Sequence, residues 1–172
     1  MKPLSLTLKN FGPYINETID FTKFEDSSLF LISGKTGSGK TTIFDGMSYA
    51  LFGESSGKLR LGKEMRSTFA DPSEATEVTL LFKHNEYLYE LNRLPEQELF
   101  KKRGTGVRKQ SAKISLIVKD AQGKELRAYS KRREVDELIQ ELLHLNANQF
   151  AQIVLLPQGE FRTFLIAKSD EK

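Results

Sequence analysis

A glycine-rich loop between an apolar run and a helical pattern constrains the fold of this chain more than any other feature. Residues 34–41 (GKTGSGKT) match the pattern G-x-x-x-x-G-K-[ST] at every defined position. The four residues before Ser33 are all apolar (LFLI), which is typical of a strand covered on both faces. After the loop, apolar residues recur at helical spacing up to Gly53. This order of strand, loop and helix predicts a phosphate-binding loop in an α/β fold.

The residues of this loop have the chemistry that a nucleotide phosphate needs. The glycines permit a tight turn in which backbone N–H groups converge at a helix N-terminus, where an anion is favoured. Lys40 would bring positive charge to the terminal phosphates, and the Thr41 hydroxyl would bind a magnesium ion. A plain glycine turn is the alternative, but it does not require Lys and Thr at these positions. The predicted nucleotide-binding residues are Gly34, Lys35, Thr36, Gly37, Ser38, Gly39, Lys40, Thr41 and Thr42.

Alternating apolar residues predict strands on both sides of this unit. Residues 4–8 and 18–21 alternate around a turn at residues 10–14. Residues 78–82 and 87–91 alternate around a second turn, and residues 114–118 alternate up to a third. We therefore expect an α/β fold with α+β elements, in which a mixed sheet surrounds the P-loop helix and an antiparallel meander follows.

Helical periodicity replaces the alternation after residue 130. An apolar stripe predicts a core-facing helix, for which Ser130 is the expected N-cap. A further short helix is expected near Phe150 and should end before Pro157. The stripe consists of Val135, Leu138, Ile139, Leu142 and Leu143.

Composition excludes several classes of protein. The chain of 172 residues contains no cysteine, so neither disulfides nor thiolate metal sites can form. No apolar run approaches the roughly 20 residues of a membrane span, and the first residues lack the apolar core of a secretory signal. We expect a cytoplasmic protein with no membrane partner.

Positive charge is concentrated in one segment of a chain whose net charge is only +3. Between Lys101 and Arg133, twelve Lys and Arg residues face two acids. Such a patch suits a nucleic-acid phosphate backbone, although a solvated flexible loop is the alternative, favoured by Gly104 and Gly106. The candidate DNA-binding residues are Lys101, Lys102, Arg103, Arg108, Lys109 and Lys113.

The sequence supplies only part of a catalytic site. A P-loop ATPase needs an acidic magnesium partner at the end of a second apolar strand, and no apolar run of that kind follows the P-loop. Gln158 follows an apolar stretch in a Pro/Gly turn, and its amide oxygen could bind magnesium and its water. A simple surface loop explains the same Pro-Gln-Gly composition.

Three segments together carry a resemblance that spans essentially the whole chain. Residues 9–14 (KNFGPY), residues 33–42 (SGKTGSGKTT) and residues 156–161 (LPQGEF) resemble the N-terminal lobe of the ATPase head in the bacterial SMC-like, ABC-type ATPases of DNA double-strand-break processing. The resemblance implies a head lobe over residues 1–163 and the start of a coiled-coil helix over residues 164–172. The acidic strand end, the serine-glycine motif and the distal histidine would lie in a separate C-terminal lobe.

The same resemblance implies roles and partners. Lys40 and Gln158 would be the catalytic residues, Thr41 and Gln158 would hold Mg²⁺, and ATP would bring two heads together. Implied partners are the C-terminal lobe of the same protein, a second head, a separate nuclease protein and double-stranded DNA. Some relatives place an Arg just after the first strand, where this chain has Gly12, so a nucleotide contact from that turn is not expected.

Two other classes of function remain open at this point. A self-contained P-loop kinase or GTPase would need its own acidic magnesium partner, and a GTPase would also need an Asn-Lys-x-Asp motif. A non-catalytic interaction module would keep the P-loop as scaffold only and would bind no nucleotide.

Overall fold

The computed structural model describes residues 1–24, 32–55 and 62–151. Within them, six strands form one sheet in the order β2-β1-β3-β4-β7-β8, and β5 pairs with β6. The strands are β1 (Lys2–Phe11), β2 (Tyr14–Asp20), β3 (Glu77–His84), β4 (Tyr87–Leu94), β5 (Gln97–Phe100), β6 (Val107–Gln110), β7 (Lys113–Lys119) and β8 (Glu125–Tyr129). The helices are α1 (Lys40–Phe52), α2 (Arg132–Leu143) and α3 (Ala147–Phe150), and 3-10 turns occupy Thr22–Phe24 and Gly62–Met65.

Alternation along the central strands builds the core. Every pairing among the described strands is antiparallel, so residues that face each other in register share one face of the sheet. One row of leucines crosses four strands in this way, and each of its side chains is fully buried. Burial of each such side chain contributes about 1.5–3 kcal/mol to folding. The row is Leu6, Leu80, Leu91 and Leu116.

Helix α1 lies on this core and crosses several strands. Its apolar face, including Ile43, Met47 and Leu51, is buried. The helix approaches β1 closely at Gly46, where an added Cβ would lie 2.6 Å from Leu8 Cδ2. The start of α1 lies beside the end of β1, while its last turn lies beside the end of β4. The P-loop is therefore held at one end of the sheet.

Helices α2 and α3 cover the far end of α1. Val135 and Ile139 of α2 are buried in the same core as the leucine row. The rings of Phe52 and Phe150 pack with centroids 5.4 Å apart, which joins α1 to α3.

The predicted fold class is confirmed, and so are the strands at the N-terminus, the hairpin of β3 and β4, strand β7 and helix α2. The meander is continuous with the first two strands in a single sheet. The predicted N-cap is wrong: Lys131 is the capping residue, and it makes no side-chain cap hydrogen bond. The predicted apolar strand before the P-loop lies outside the described residues except for Ile32.

A hairpin replaces the flexible loop that the glycines favoured. Strands β5 and β6 leave the sheet after β4 and return at β7, and the sheet closes beneath them at the pair Leu94 and Lys113. Leu99 of β5, which lies opposite Arg108 in the hairpin, is fully buried. The tip, residues 101–106, is exposed. The hairpin thus projects from the end of the sheet at which β1 also finishes.

Candidate functional site: a phosphate-binding loop

The P-loop, residues 34–42, has the backbone conformation that its glycines permit. Gly37 and Gly39 have φ of 84° and 89°, a left-handed region that other residues rarely adopt. The turn from Lys35 to Ser38, which contains Gly37, is closed by the Ser38 N–H, which donates to the Lys35 carbonyl at 3.1 Å. Helix α1 then begins at Lys40, where Thr42 and Ile43 donate to the Gly39 carbonyl. The sequence pattern therefore folds as a loop that turns directly into a helix N-terminus.

Lys40 places its charge inside this loop. Its Nζ donates to the carbonyls of Gly34 at 2.7 Å and Lys35 at 2.9 Å. An added Cβ at Gly34 would lie 2.9 Å from the Ser38 hydroxyl, so a larger residue there would displace the Ser38 side chain. The ammonium is held by neutral carbonyls and has no acidic partner among the described residues, so it can pair with an anion.

The first turn of α1 fits an anionic ligand. No described residue accepts a hydrogen bond from the backbone N–H of Lys40 or Thr41, and Gly39 supplies no side-chain cap. The first turn carries no acidic residue, so nothing there offsets the positive end of the helix dipole. Thr41 is exposed and Thr42 is half-buried at the same end. These donors suit a phosphate group, and the Thr41 hydroxyl is free to approach a cation bound beside it.

The β1–β2 turn, residues 10–14, packs against the P-loop. The Tyr14 hydroxyl donates to the Gly39 carbonyl at 3.1 Å. An added Cβ would lie 2.6 Å from Pro13 Cγ at Gly39, and 2.5 Å from Thr42 Cγ2 at Gly12. A side chain at Gly12 would therefore have to displace the Thr42 side chain, so the small size of Gly12 lets the turn lie close to the first turn of α1.

A second segment holds that turn in place. Gly12 N–H donates to the Met65 carbonyl at 2.7 Å, and Ser67 N–H donates to the Asn10 carbonyl at 2.8 Å. Arg66 donates to the carbonyls of Asp71 and Glu74 and does not face the P-loop. Its guanidinium pKa is lowered by partial burial, with Asp71 acting in the opposite direction. The segment around Arg66 is a structural support.

Sequence reasoning missed the residue that closes the other end of α1. Arg93 is only 4% exposed; it donates to the carbonyls of Ala50 at 2.6 Å and Leu51 at 3.0 Å, and it pairs with Asp136 of α2. The signal was in the pattern, because Arg93 follows Tyr89 and Leu91 at inward-facing positions of one strand. A charged residue at such a position requires buried partners.

A cleft of about 400 Å³ lies between the last turn of α1, α2 and α3. It is lined by residues such as Phe52, Arg132 and Asn148, so it lies at the opposite end of α1 from the P-loop. The P-loop residues at the other end are exposed or half-buried, and their open backbone N–H groups suit a ligand held by its phosphates.

The six candidate DNA-binding residues lie on or beside the β5–β6 hairpin. Lys102 pairs with Glu74, and Lys109 lies 3.9 Å from Glu98. The other four are exposed and make no ion pair with a described residue. These four are Lys101, Arg103, Arg108 and Lys113.

Two predicted parts of the site lie outside the described residues: Gln158 and the expected coiled-coil start at residues 164–172. Among the described residues no group of three or more His, Asp or Glu side chains is placed to hold a metal ion. Within the same residues no helix is long and apolar enough to span a membrane.

Comparison with known proteins identifies the family. A family model described as "AAA domain" matches residues 5–172. The chain belongs to the AAA domain family. This AAA domain is 47% identical over 176 residues to SbcC of the nuclease SbcCD from Lactococcus lactis subsp. lactis (strain IL1403). It is 44% identical over 173 residues to SbcC of Vibrio cholerae serotype O1, and 47% identical over 172 residues to SbcC of Staphylococcus aureus (strain JH9).

These matches cover 100% of the AAA domain but only 16% or 17% of the relatives, so the chain spans about one sixth of their length. A solved structure described as "Structural biochemistry of ATP-driven dimerization and DNA stimulated activation of SMC ATPases" matches with a TM-score of 0.50. That match covers 99% of this chain and 95% of the other at 17% identity, so it shows the fold. The predicted resemblance to SMC-like ATPases, with the fold of a P-loop ATPase head, is confirmed.

Proposed function

We propose that this chain is the N-terminal half of the ATPase head in the SbcC component of an SbcCD nuclease, and that it binds ATP with Mg²⁺ at the P-loop. The observation that carries the proposal is the open first turn of α1, where the N–H groups of Lys40 and Thr41 have no described acceptor beside the Lys40 ammonium. The likeness to SbcC proteins over the full chain supports the same assignment.

Different groups of the loop would contact different parts of the ligand. The open backbone N–H groups of Lys40 and Thr41 would receive the phosphates, and the Lys40 ammonium would exchange its two carbonyl partners for phosphate oxygens. Thr41 and Gln158 would hold the magnesium ion, which neutralises phosphate charge when bound. Lys40 and Gln158 are the proposed catalytic residues.

The proposed ATPase head also needs a C-terminal lobe and a second head. We propose that residues 1–163 form the lobe and that residues 164–172 start a coiled-coil helix leading toward a C-terminal lobe with the acidic magnesium partner. ATP would favour engagement of two heads only through contacts that exist in the engaged state. By likeness to the SbcC proteins, engagement would control access of DNA ends and hairpins to the SbcD nuclease in recombination and repair. The proposed location is the cytoplasm, in association with the nucleoid.

Nucleotide binding is tested first by calorimetric titration with Mg-ATP. We expect wild-type protein to bind and Lys40→Ala to bind about ten- to a hundredfold more weakly, since hydrogen bonds to charged groups contribute about 1.5–3 kcal/mol. Lys124→Ala is the matched control, because Lys124 is an exposed lysine in the β7–β8 connection, at the end of the sheet away from the hairpin. Absence of binding by the wild-type protein would favour the non-catalytic module instead.

Turnover separates a half-site from a complete one. ATP hydrolysis is measured for the chain alone and after addition of a separately expressed C-terminal lobe, with Lys40→Ala as control. We expect activity only on mixing. Robust turnover by the chain alone, lost in Lys40→Ala, would move the self-contained kinase-like alternative ahead.

We also propose that the β5–β6 hairpin contacts the phosphate backbone of double-stranded DNA. Four of its six candidate cations make no ion pair with a described residue, and the hairpin projects from the sheet end nearest the β1–β2 turn. Removing Lys101 and Arg103 as glutamines should weaken DNA affinity for every sequence and lower the salt slope by about one per lost phosphate contact. Lys124→Gln is the control, and an unchanged slope in the double variant would remove the hairpin from the DNA surface.

A further inference from the structure

Besides the contact of Gly12 with Thr42, the β1–β2 turn meets the P-loop at the peptide that joins Gly39 to Lys40. The Gly39 carbonyl already accepts from Thr42 at 2.9 Å and from Ile43 at 3.3 Å, both inside the loop and helix. The Tyr14 hydroxyl is a third donor to the same oxygen, and it comes from a different part of the chain. Pro13 lies against the Cα of Gly39.

A hydrogen bond that restrains the Gly39 carbonyl also restrains the Lys40 N–H, which belongs to the same peptide group. A trans peptide is planar, so the direction of the Gly39 C=O fixes the opposite direction of the Lys40 N–H. That N–H has no acceptor among the described residues and lies at the start of α1. Any group that restrains the Gly39 oxygen therefore restrains a donor that faces the phosphate position.

The turn is a rigid support because its own backbone is fixed elsewhere. Asn10 is 3% exposed, and its Nδ2 donates to the Ala75 carbonyl at 2.9 Å. Its carbonyl accepts from Ser67 N–H and from the Thr76 hydroxyl. These contacts do not involve the P-loop, so the turn can hold the loop without being held by it.

We propose that Tyr14 is a positioning residue for phosphate binding, and that its hydroxyl orients the Gly39–Lys40 peptide so that the Lys40 N–H faces the ligand. The inference rests on the proposed nucleotide function of the P-loop. Partial burial, with a smaller effect of Glu17, raises the pKa of Tyr14, so the hydroxyl stays protonated and remains a donor at neutral pH.

The test uses Tyr14→Phe, which keeps the ring and removes only the hydroxyl. Affinities are measured by calorimetry for two probes, Mg-ATP and Mg-tripolyphosphate, which share phosphates but not a base. We expect both to weaken by the same factor, roughly two- to tenfold, the value of one net hydrogen bond. Tyr87→Phe is the matched control. Tyr87 is exposed at the start of β4, next to the turn that joins β3 to β4.

Two further readouts separate positioning from general support of the fold. The backbone amide resonance of Lys40 should move in ligand-free Tyr14→Phe and not in Tyr87→Phe. The urea midpoint without ligand should fall only slightly in Tyr14→Phe, because one part-buried hydrogen bond is lost while the fold is kept. An unmoved Lys40 amide, unchanged affinity, or a loss confined to Mg-ATP would overturn the proposal. If wild-type protein binds neither probe, the proposed nucleotide function itself fails.

Discussion

The two ends of α1 differ in whether their backbone N–H and C=O groups have hydrogen-bond partners. At the C-terminus, Gly53 N–H donates to the Tyr49 carbonyl at 2.8 Å, and the buried Arg93 occupies the carbonyls of the last turn. At the N-terminus, the N–H groups of Lys40 and Thr41 have no described acceptor, and a lysine stands where the helix dipole favours an acid. One end therefore contributes to stability, while the other leaves donors open at a cost that a bound anion would offset.

Packing elsewhere along α1 explains how its uncapped N-terminus is tolerated. The helix buries an apolar face on the sheet, and its position is fixed from the far end by contacts with β4 and α2. Tertiary packing of this kind supplies most of the stability of a helix in a protein. The first turn can then remain uncapped without unravelling.

The largest expected effect follows from opening the closed end. Arg93→Met keeps much of the apolar stem but removes the donors to Ala50 and Leu51 and leaves Asp136 without its buried partner. We expect a loss of about 2–4 kcal/mol in the free energy of unfolding, because Asp136 is 37% exposed and keeps Arg132. Urea denaturation measures the loss.

Arg133→Met is the matched control for that variant. Arg133 also pairs with an acid, Glu137, but its side chain is 89% exposed. An exposed i, i+4 pair contributes about 0.3–0.5 kcal/mol. Equal losses in the two variants would mean that burial does not distinguish Arg93.

The next effect is in binding, at the open end. Lys40→Met should leave the unfolding free energy within about 1 kcal/mol of wild type, because the lost carbonyl contacts are exposed and a cation leaves the positive end of the dipole. Mg-ATP affinity should fall by about 1.5–3 kcal/mol. Calorimetry and urea denaturation of the same preparation give both values, and a large loss of stability would show that this end is structural too.

A smaller effect tests the cap at Gly53. Its φ of 76° strains any residue with a Cβ, and that Cβ would lie 3.2 Å from Arg93 Nη1. Gly53→Ala should cost about 1–2 kcal/mol in unfolding free energy for the backbone conformation, plus any displacement of Arg93. Gly123→Ala supplies the strain alone, since its φ is 83° and nothing lies within 4 Å of its Cβ position. Identical losses would show that Arg93 adjusts freely.

The smallest expected effect on stability comes from placing a negative charge in the first turn of α1. Thr41→Glu puts an acid in the first turn and should raise the unfolding free energy by about 0.3–1 kcal/mol, while repulsion abolishes Mg-ATP binding. Thr41→Gln is the neutral control. Thermal melts and nucleotide titrations decide the outcome, and a glutamate variant that still binds Mg-ATP would place the phosphates elsewhere.

Local patterns predicted the elements, while pairings between distant segments stayed beyond the sequence. Alternation located β1, β3, β4 and β7, and the glycine at residue 53 marked the end of α1. Strand β8 was missed because its residues are mostly exposed and show no inward periodicity. The hairpin was missed because charge and two glycines suggest a solvated loop, although Leu99 of β5 is buried.

The candidate site divides in the same way. The P-loop is a contiguous motif whose chemistry resides in adjacent residues, so the sequence alone predicted it. The Tyr14 contact to Gly39 spans 25 residues, and the Arg93 contacts to the last turn of α1 span more than 40. The residues near Tyr14 or Arg93 in the sequence do not indicate which distant residue each will contact. Such contacts follow from the order of strands in the sheet, which local periodicity does not determine.

The sheet closes beneath the β5–β6 hairpin at the pair Leu94 and Lys113, and Gly104 and Gly106 in the exposed tip have no neighbouring atoms within 4 Å of their Cβ positions. Residues can therefore be added to or removed from the tip without shifting the register of any strand. Over evolution, the length of the hairpin tip can therefore change without altering the nucleotide-binding loop. Homologous chains should vary there first.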